Sequence, residues 1–126
     1  MDIAERRLAD VVVVAPSGPI DQPHAQELER ALAPILAPVA GSADALVLDF
    51  GGVGYVSSTG LRVLMVAARE AQARKARIVV AALQPAVAEI FGIARFNHVL
   101  EVFPTVRDAL SALSPAALAA WDAGAS

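Results

Sequence analysis

Four short runs of aliphatic residues, each followed by a stretch with helical spacing, constrain this chain more than any other feature. The runs are Val11–Ala15, Ala45–Phe50, Ile78–Leu83 and Val99–Phe103. Four consecutive valines are stiff at χ1 and favour a strand, which Pro16-Ser17-Gly18-Pro19 should end. The run at 45–50 is continuous rather than alternating, the pattern of a strand covered on both faces or central in its sheet. Ile3–Leu8 reads as a short edge strand, turned at Ala9-Asp10 into the valine run.

Between the runs, apolar residues recur every three or four positions. Ala25, Leu28, Leu32, Ile35 and Leu36 follow Asp21, a predicted N-cap. Pro34 should shorten or kink that helix and Pro38 end it, before a loop at Gly41–Asp44. Ser57-Ser58-Thr59 precedes a long helix from Gly60 to about Ala76, with residues 61, 64, 65, 68 and 71 inward and Glu70–Arg74 as an i,i+4 ion pair. Pro85 opens a third helix with Val87, Ile90, Phe91 and Ala94 inward. Pro104 opens a fourth with Val106, Ala109, Leu110 and Leu113 inward. This alternation predicts an α/β fold, a mixed and largely parallel sheet of about five strands with helices packed against it. One domain over residues 1–113 is expected. Residues 114–126 are an alanine-rich C-terminal tail with Leu118 and Trp121 as anchors, expected to be partly disordered.

Composition narrows the function. The 126 residues are 56% hydrophobic with a mean hydropathy of +0.56, but 28 of them are alanine. The longest strongly apolar run is Val11–Ala15, far short of the ~20 residues a membrane span needs. The first ten residues mix acids with bases and are not expected to act as a leader. With no cysteine, thiol and disulfide chemistry are absent, and His24 and His98 are the only imidazoles. The expectation is a soluble, cytoplasmic, monomeric domain without cofactor or metal.

The net charge of −3 is unevenly spread. Residues 62–77 hold Arg62, Arg69, Arg74, Lys75 and Arg77 against Glu70 alone. That stripe is too narrow for a nucleic-acid face and reads as a solvated helix surface. Catalytic motifs fail in turn. Asp49-Phe50-Gly51 spells the kinase magnesium triplet without the rest of a kinase. Gly52-x-Gly54 lacks the third glycine of a dinucleotide loop, and Leu61 stands where a phosphate-loop lysine would follow Gly60. No enzymatic activity is expected.

The informative segment is Tyr55-Val56-Ser57-Ser58-Thr59-Gly60-Leu61-Arg62. A hydroxyl at a helix mouth accepts an N–H bond from the first turn, worth about 1 kcal/mol. One cap suffices, and three successive hydroxyls exceed that need. A phosphate attached here would bring about −1.5 to −2 charges to the positive end of the helix dipole. Arg62, one turn beyond Ser58, has two readings: a partner for such a phosphate, or a surface arginine.

These residues carry a resemblance. The valine run with Gly18-Pro19-Ile20-Asp21, the strand Leu46-Val47-Leu48-Asp49-Phe50 with Tyr55-Val56, and Ser58-Thr59-Gly60-Leu61 resemble a STAS domain of the anti-sigma factor antagonist family. Pro85-Ala86-Val87 through Ile90-Phe91 and Ala109-Leu110 match further positions, so the likeness spans about residues 3–113. The most specific part is Ser-Thr-Gly-Leu after an apolar strand ending in aspartate.

The resemblance implies a partner-switching regulator rather than an enzyme. Ser58 aligns with the phosphoacceptor, Thr59 with its hydroxyl neighbour and Gly60 with the glycine of close backbone approach. Ser57 replaces the family's acidic residue, and Arg62 a small one. Asp21 matches the family's turn aspartate and would share the partner surface with Ser57, Thr59, Gly60 and Arg62, though capping the first helix accounts for it equally well. The implied partners are an anti-sigma factor that is a serine kinase of the GHKL type, and a metal-dependent serine/threonine phosphatase. Two other readings stay open. One is a non-phosphorylated STAS accessory or scaffold subunit of a lipid-transport or stress-signalling complex, in which Ser58 only caps. The other is a nucleotide-binding regulatory domain, prompted by Gly51–Gly54.

Overall fold

The valine runs become the middle of a five-stranded sheet in the computed structural model, which describes residues 1–37 and 44–124. The strands are β1 (Asp2–Leu8), β2 (Val11–Ser17), β3 (Ala45–Asp49), β4 (Arg77–Ala81) and β5 (Glu101–Phe103). They lie side by side in sequence order. β1 runs antiparallel to β2, and the other pairs are parallel. The fold is thus the expected mixed, largely parallel α/β sheet. Parallel neighbours need crossovers, supplied by α1 (Gln22–Leu36), α2 (Ser58–Ala73) and α3 (Pro85–Ile93).

Each crossover steps one strand in the same direction. Right-handed connections then place all three helices on one face of the sheet. There Val12, Val14, Leu46, Leu48 and Val80 meet Leu28, Leu32, Leu64, Val87 and Phe91. Side chains alternate across a strand, so Val11, Val13, Val47, Val79 and Ala81 point the other way and need separate cover. α4 (Val106–Leu113) and α5 (Pro115–Gly124) provide it through Val106, Ala109, Leu110 and Ala117.

The tail is therefore structured over most of its length, a correction to the expected partial disorder. Alanine-rich sequence is a strong helix former, and three polar clasps hold α5 down. Ser114, buried between α4 and α5, donates from its hydroxyl to Asp10 Oδ1 at 2.7 Å and accepts from Ala117 N at 3.1 Å. Arg6 of β1 stacks over the Trp121 ring, 5.1 Å from its centroid. Arg107 binds Asp122 through two hydrogen bonds of 3.1 Å, and that hydrogen bond and charge push the guanidinium pKa up.

Other boundaries differ for identifiable reasons. β2 continues through Pro16 to Ser17, past Val14–Leu48, its last pair with β3. There the missing proline N–H takes no bond from β3. α1 likewise continues through Pro34 to Leu36, and Pro38 lies outside the described residues, as do 41–43 of the expected loop. A proline inside a helix costs about 3 kcal/mol. Burial of Ile35 and Leu36, about 1.5–3 kcal/mol each, offsets it. Arg74 Nη1 also caps the Ile35 carbonyl at 3.0 Å.

In α2 the buried stripe is Gly60, Val63, Leu64, Ala67 and Ala71, with Leu61, Met65 and Ala68 only partly covered. In α3 Val87 and Phe91 are buried, while Ile90 is half-buried and Ala94 exposed. The strand expected from Val99 begins at Glu101. Phe96 forms a 3-10 turn with Asn97 and His98, so that its ring packs 5.2 Å from Phe91. None of the helices among the described residues is long and apolar enough to cross a membrane.

Two substitutions test this packing. Ser114→Ala removes the cap on Ala117 N and the hydrogen bond to the exposed Asp10, and should lower unfolding free energy by about 1–2 kcal/mol in urea titration. Gly60→Ala should cost a further-reaching repacking. A Cβ there would lie 2.8 Å from Val56 Cγ1, 2.9 Å from Ile20 Cγ2 and 3.3 Å from the Ile20 carbonyl oxygen. The expected loss is about 1–3 kcal/mol in the same titration.

Candidate functional site

Beyond the ladders, the chain after β2 and the chain after β3 stay paired by one isolated parallel bridge, Ile20 with Val56. Ile20 N donates to the Tyr55 carbonyl at 2.8 Å, and Ser57 N donates to the Ile20 carbonyl at 2.9 Å. Both segments enter helices at once, so the bridge sets the mouths of α1 and α2 beside each other. Gly60 makes this possible, because its bare Cα faces both bridge residues.

Each mouth is capped by the side chain just before the helix. Asp21 Oδ1 accepts from His24 N at 3.1 Å, as the sequence predicts. His24 Nδ1 also lies 2.8 Å from the Pro19 carbonyl oxygen and 3.0 Å from Asp21 Oδ1. Both are acceptors, so that nitrogen carries the hydrogen. At the second mouth the cap is Ser57, whose Oγ accepts from Gly60 N at 3.1 Å. Serine and aspartate are comparable caps, so Ser57 performs the helix-start role that an acid would fill. It does so without adding a charge.

With Ser57 as cap, Ser58 is the first residue of α2 rather than its cap. It is exposed, and its hydroxyl makes no hydrogen bond within the described residues. The reading in which Ser58 only caps therefore loses its geometric basis. Ser57 and Thr59 are half-buried, so Ser58 is the most accessible hydroxyl of the three; Gly60 is buried. Arg62 is exposed and without an ion pair among the described residues. Asp21, Ser57, Ser58 and Gly60 are thus gathered around one bridge, and Arg62 follows Ser58 by one turn.

One surface residue was not singled out as part of the site from sequence. Tyr55 precedes the bridge and is 50% exposed, the only aromatic among the large exposed apolar side chains of the described residues. An exposed aromatic close in sequence to the Ser58 hydroxyl is the residue type that interface centres favour. Its place in Tyr55-Val56-Ser57-Ser58 was visible, but an aromatic before a helix reads equally well as core.

The glycines of Gly51–Gly54 have structural uses. Gly51 N donates to Asp49 Oδ1 at 3.0 Å, and Gln84 Nε2 donates to the Gly51 carbonyl at 2.9 Å. Gly52 passes close to Ser17, where its carbonyl accepts from Gly18 N at 2.9 Å. The loop is thus closed by its own bonds.

Comparison with known proteins agrees with this geometry. The family model described as STAS domain matches residues 2–109. BtrV of Bordetella bronchiseptica, named as an anti-sigma factor antagonist, is 31% identical over 120 residues, covering 94% of this chain and 98% of that protein. The crystal structure of an anti-sigma factor antagonist from Mycobacterium paratuberculosis superposes with a TM-score of 0.79 at 28% identity, over 89% of this chain and 92% of that one. The phosphorylated form of SpoIIAA, a Bacillus cell fate determinant, shares the fold with a TM-score of 0.69 at 14% identity, over 90% of this chain and all of that one. A single sheet with a hydroxyl-bearing α2 mouth, matched from β1 into α4, places the chain in the STAS domain family, among the anti-sigma factor antagonists.

Proposed function

We propose that this protein is the switching component of a partner-exchange system, controlled by phosphorylation of Ser58. Unphosphorylated, it binds an anti-sigma factor through the surface of Asp21, Tyr55, Ser57, Thr59 and Arg62, and so releases the sigma factor; Gly60, expected on that surface, is buried against Ile20 and Val56 and supports it from beneath. The anti-sigma factor is also a serine kinase of the GHKL type. It moves the γ-phosphoryl group of its ATP onto Ser58 Oγ, the hydroxyl proton leaves, and ADP remains on the kinase. A metal-dependent phosphatase returns the serine by hydrolysis. The chain itself contributes recognition and an acceptor, with no catalysis of its own.

The observation that carries this reading is the division of labour between Ser57 and Ser58. The cap is already filled, so modifying Ser58 breaks no hydrogen bond of the fold. A phosphate at the first helical position meets the positive end of the dipole, and Arg62 stands at i+4 to pair with it. The folded state tolerates the modification. A docked interface does not, because burying an unpaired dianion costs several kcal/mol, and each 1.4 kcal/mol is tenfold in affinity.

The test is calorimetric titration against each serine-kinase anti-sigma factor of the host. Ser58→Asp should weaken binding at least about a hundredfold, and Ser58→Ala should stay within about threefold of the parent. Equal affinity of Ser58→Asp and parent would sink the charge switch. Intact mass from the native host should show one phosphate, absent in Ser58→Ala. Tyr55→Ala should weaken the same complex by about tenfold or more with no change in melting temperature.

A further inference from the structure

α2 offers more than its mouth. Ser58, Arg62, Met65, Arg69 and Gln72 follow one another at spacings of three and four, so they share one flank of the helix. That flank is turned away from the stripe of Val63, Leu64, Ala67 and Ala71 that enters the core. Its lower half borders an open cleft of about 540 Å³, whose far wall is the start of β4 and the 3-10 turn. Met65, Ala68 and Ile78 line the cleft with apolar surface. Val99 leaves a β-branched side chain 41% exposed on its border.

The charges around the cleft are of one sign once existing pairs are removed. Arg77 is held by Glu101 at 2.7 Å, and those two cancel. Arg69, on the cleft, and Arg62, between it and Ser58, have no acidic partner among the described residues. This is a local excess of positive charge over apolar surface, on a chain whose net charge is −3.

We propose that this cleft is a docking groove for an acidic amphipathic helix of the partner that also covers Ser58. An occupant must place apolar side chains on Met65, Ala68 and Val99 and carboxylates against Arg69 and Arg62. A helix does so with apolar residues at i, i+3 and i+4 flanked by Asp or Glu. A strand is less suited, because β5 presents an edge only three residues long for backbone pairing. The inference rests on the reading that a partner docks at Ser58. It adds a second, unmodified half to that interface, joined to the first through Arg62.

The experiment uses the full chain and the anti-sigma factor of the preceding titration. Arg69→Glu should weaken binding about tenfold or more at low ionic strength, with the deficit shrinking as salt rises. Arg69→Lys, which keeps the charge, should stay within about threefold, and Val99→Ser should lose several-fold by exposing no apolar contact. Arg30→Glu, a charge reversal on exposed α1 outside the cleft, is the control and should change nothing. Melting temperatures of all four should match the parent. Loss with Ser58→Asp but none with Arg69→Glu or Val99→Ser overturns the groove and leaves the switch standing. Loss with Arg69→Glu and Val99→Ser but none with Ser58→Asp overturns the switch and leaves the groove.

Discussion

Everything in this fold depends on burying the valines of β2 and β3 on both sides. A central parallel strand has no solvent face, so its sequence cannot alternate and its cover must come from two directions. The crossovers all step one way and supply one side only. The other side is left to whatever follows β5. That requirement turns an alanine-rich terminus into α5, fixed by Ser114 on Asp10 and by Arg6 over Trp121. Hydrophobic cover is non-directional, and these polar contacts decide where the helix rests.

The same parallel order generates the functional surface. Strands that run side by side end side by side, and the chain leaves β2 and β3 in the same direction. The Ile20–Val56 bridge extends their pairing just far enough to bring two helix starts together. Gly60 then lets α2 approach without a Cβ between the bridge residues. Asp21 and Ser57 each accept from one first-turn N–H, His24 N and Gly60 N. The result is a platform whose side-chain caps are in place before Ser58 is counted.

Under the proposed function, this is why a small covalent change at Ser58 would act as a switch. A residue that holds the fold together cannot be modified without cost to stability, and a residue that holds nothing can. Ser57 caps α2 without placing a negative charge beside Ser58. The proposed switch would work through differential tolerance. The free protein accommodates charge at a helix start, and a buried interface excludes it. The groove proposed along the α2 flank would add a contact whose strength does not depend on that charge.

The sequence by itself determined the alternation of strands and helices from β1 to α4, the strand cores and the hydroxyl run at the mouth of α2. Those rest on local signals: β-branched runs, periodicity, the cap at Asp21, and Ser58-Thr59-Gly60-Leu61. It could not say which of Ser57 and Ser58 caps α2, since either hydroxyl precedes a good helix and the choice is one backbone step set by the Ile20–Val56 bridge. It misjudged the tail, and could not place the end of α1 at Leu36, because an alanine-rich composition and a proline penalty are local quantities. Burial of Ile35 and Leu36, and the uncovered valines of β2 and β3, are not. The strand expected from Val99 starts at Glu101 for the same reason, since an apolar run does not reveal that the Phe96 ring packs on Phe91. Only tertiary structure decides such cases, because the free energy of burial belongs to surfaces brought together from distant parts of the chain.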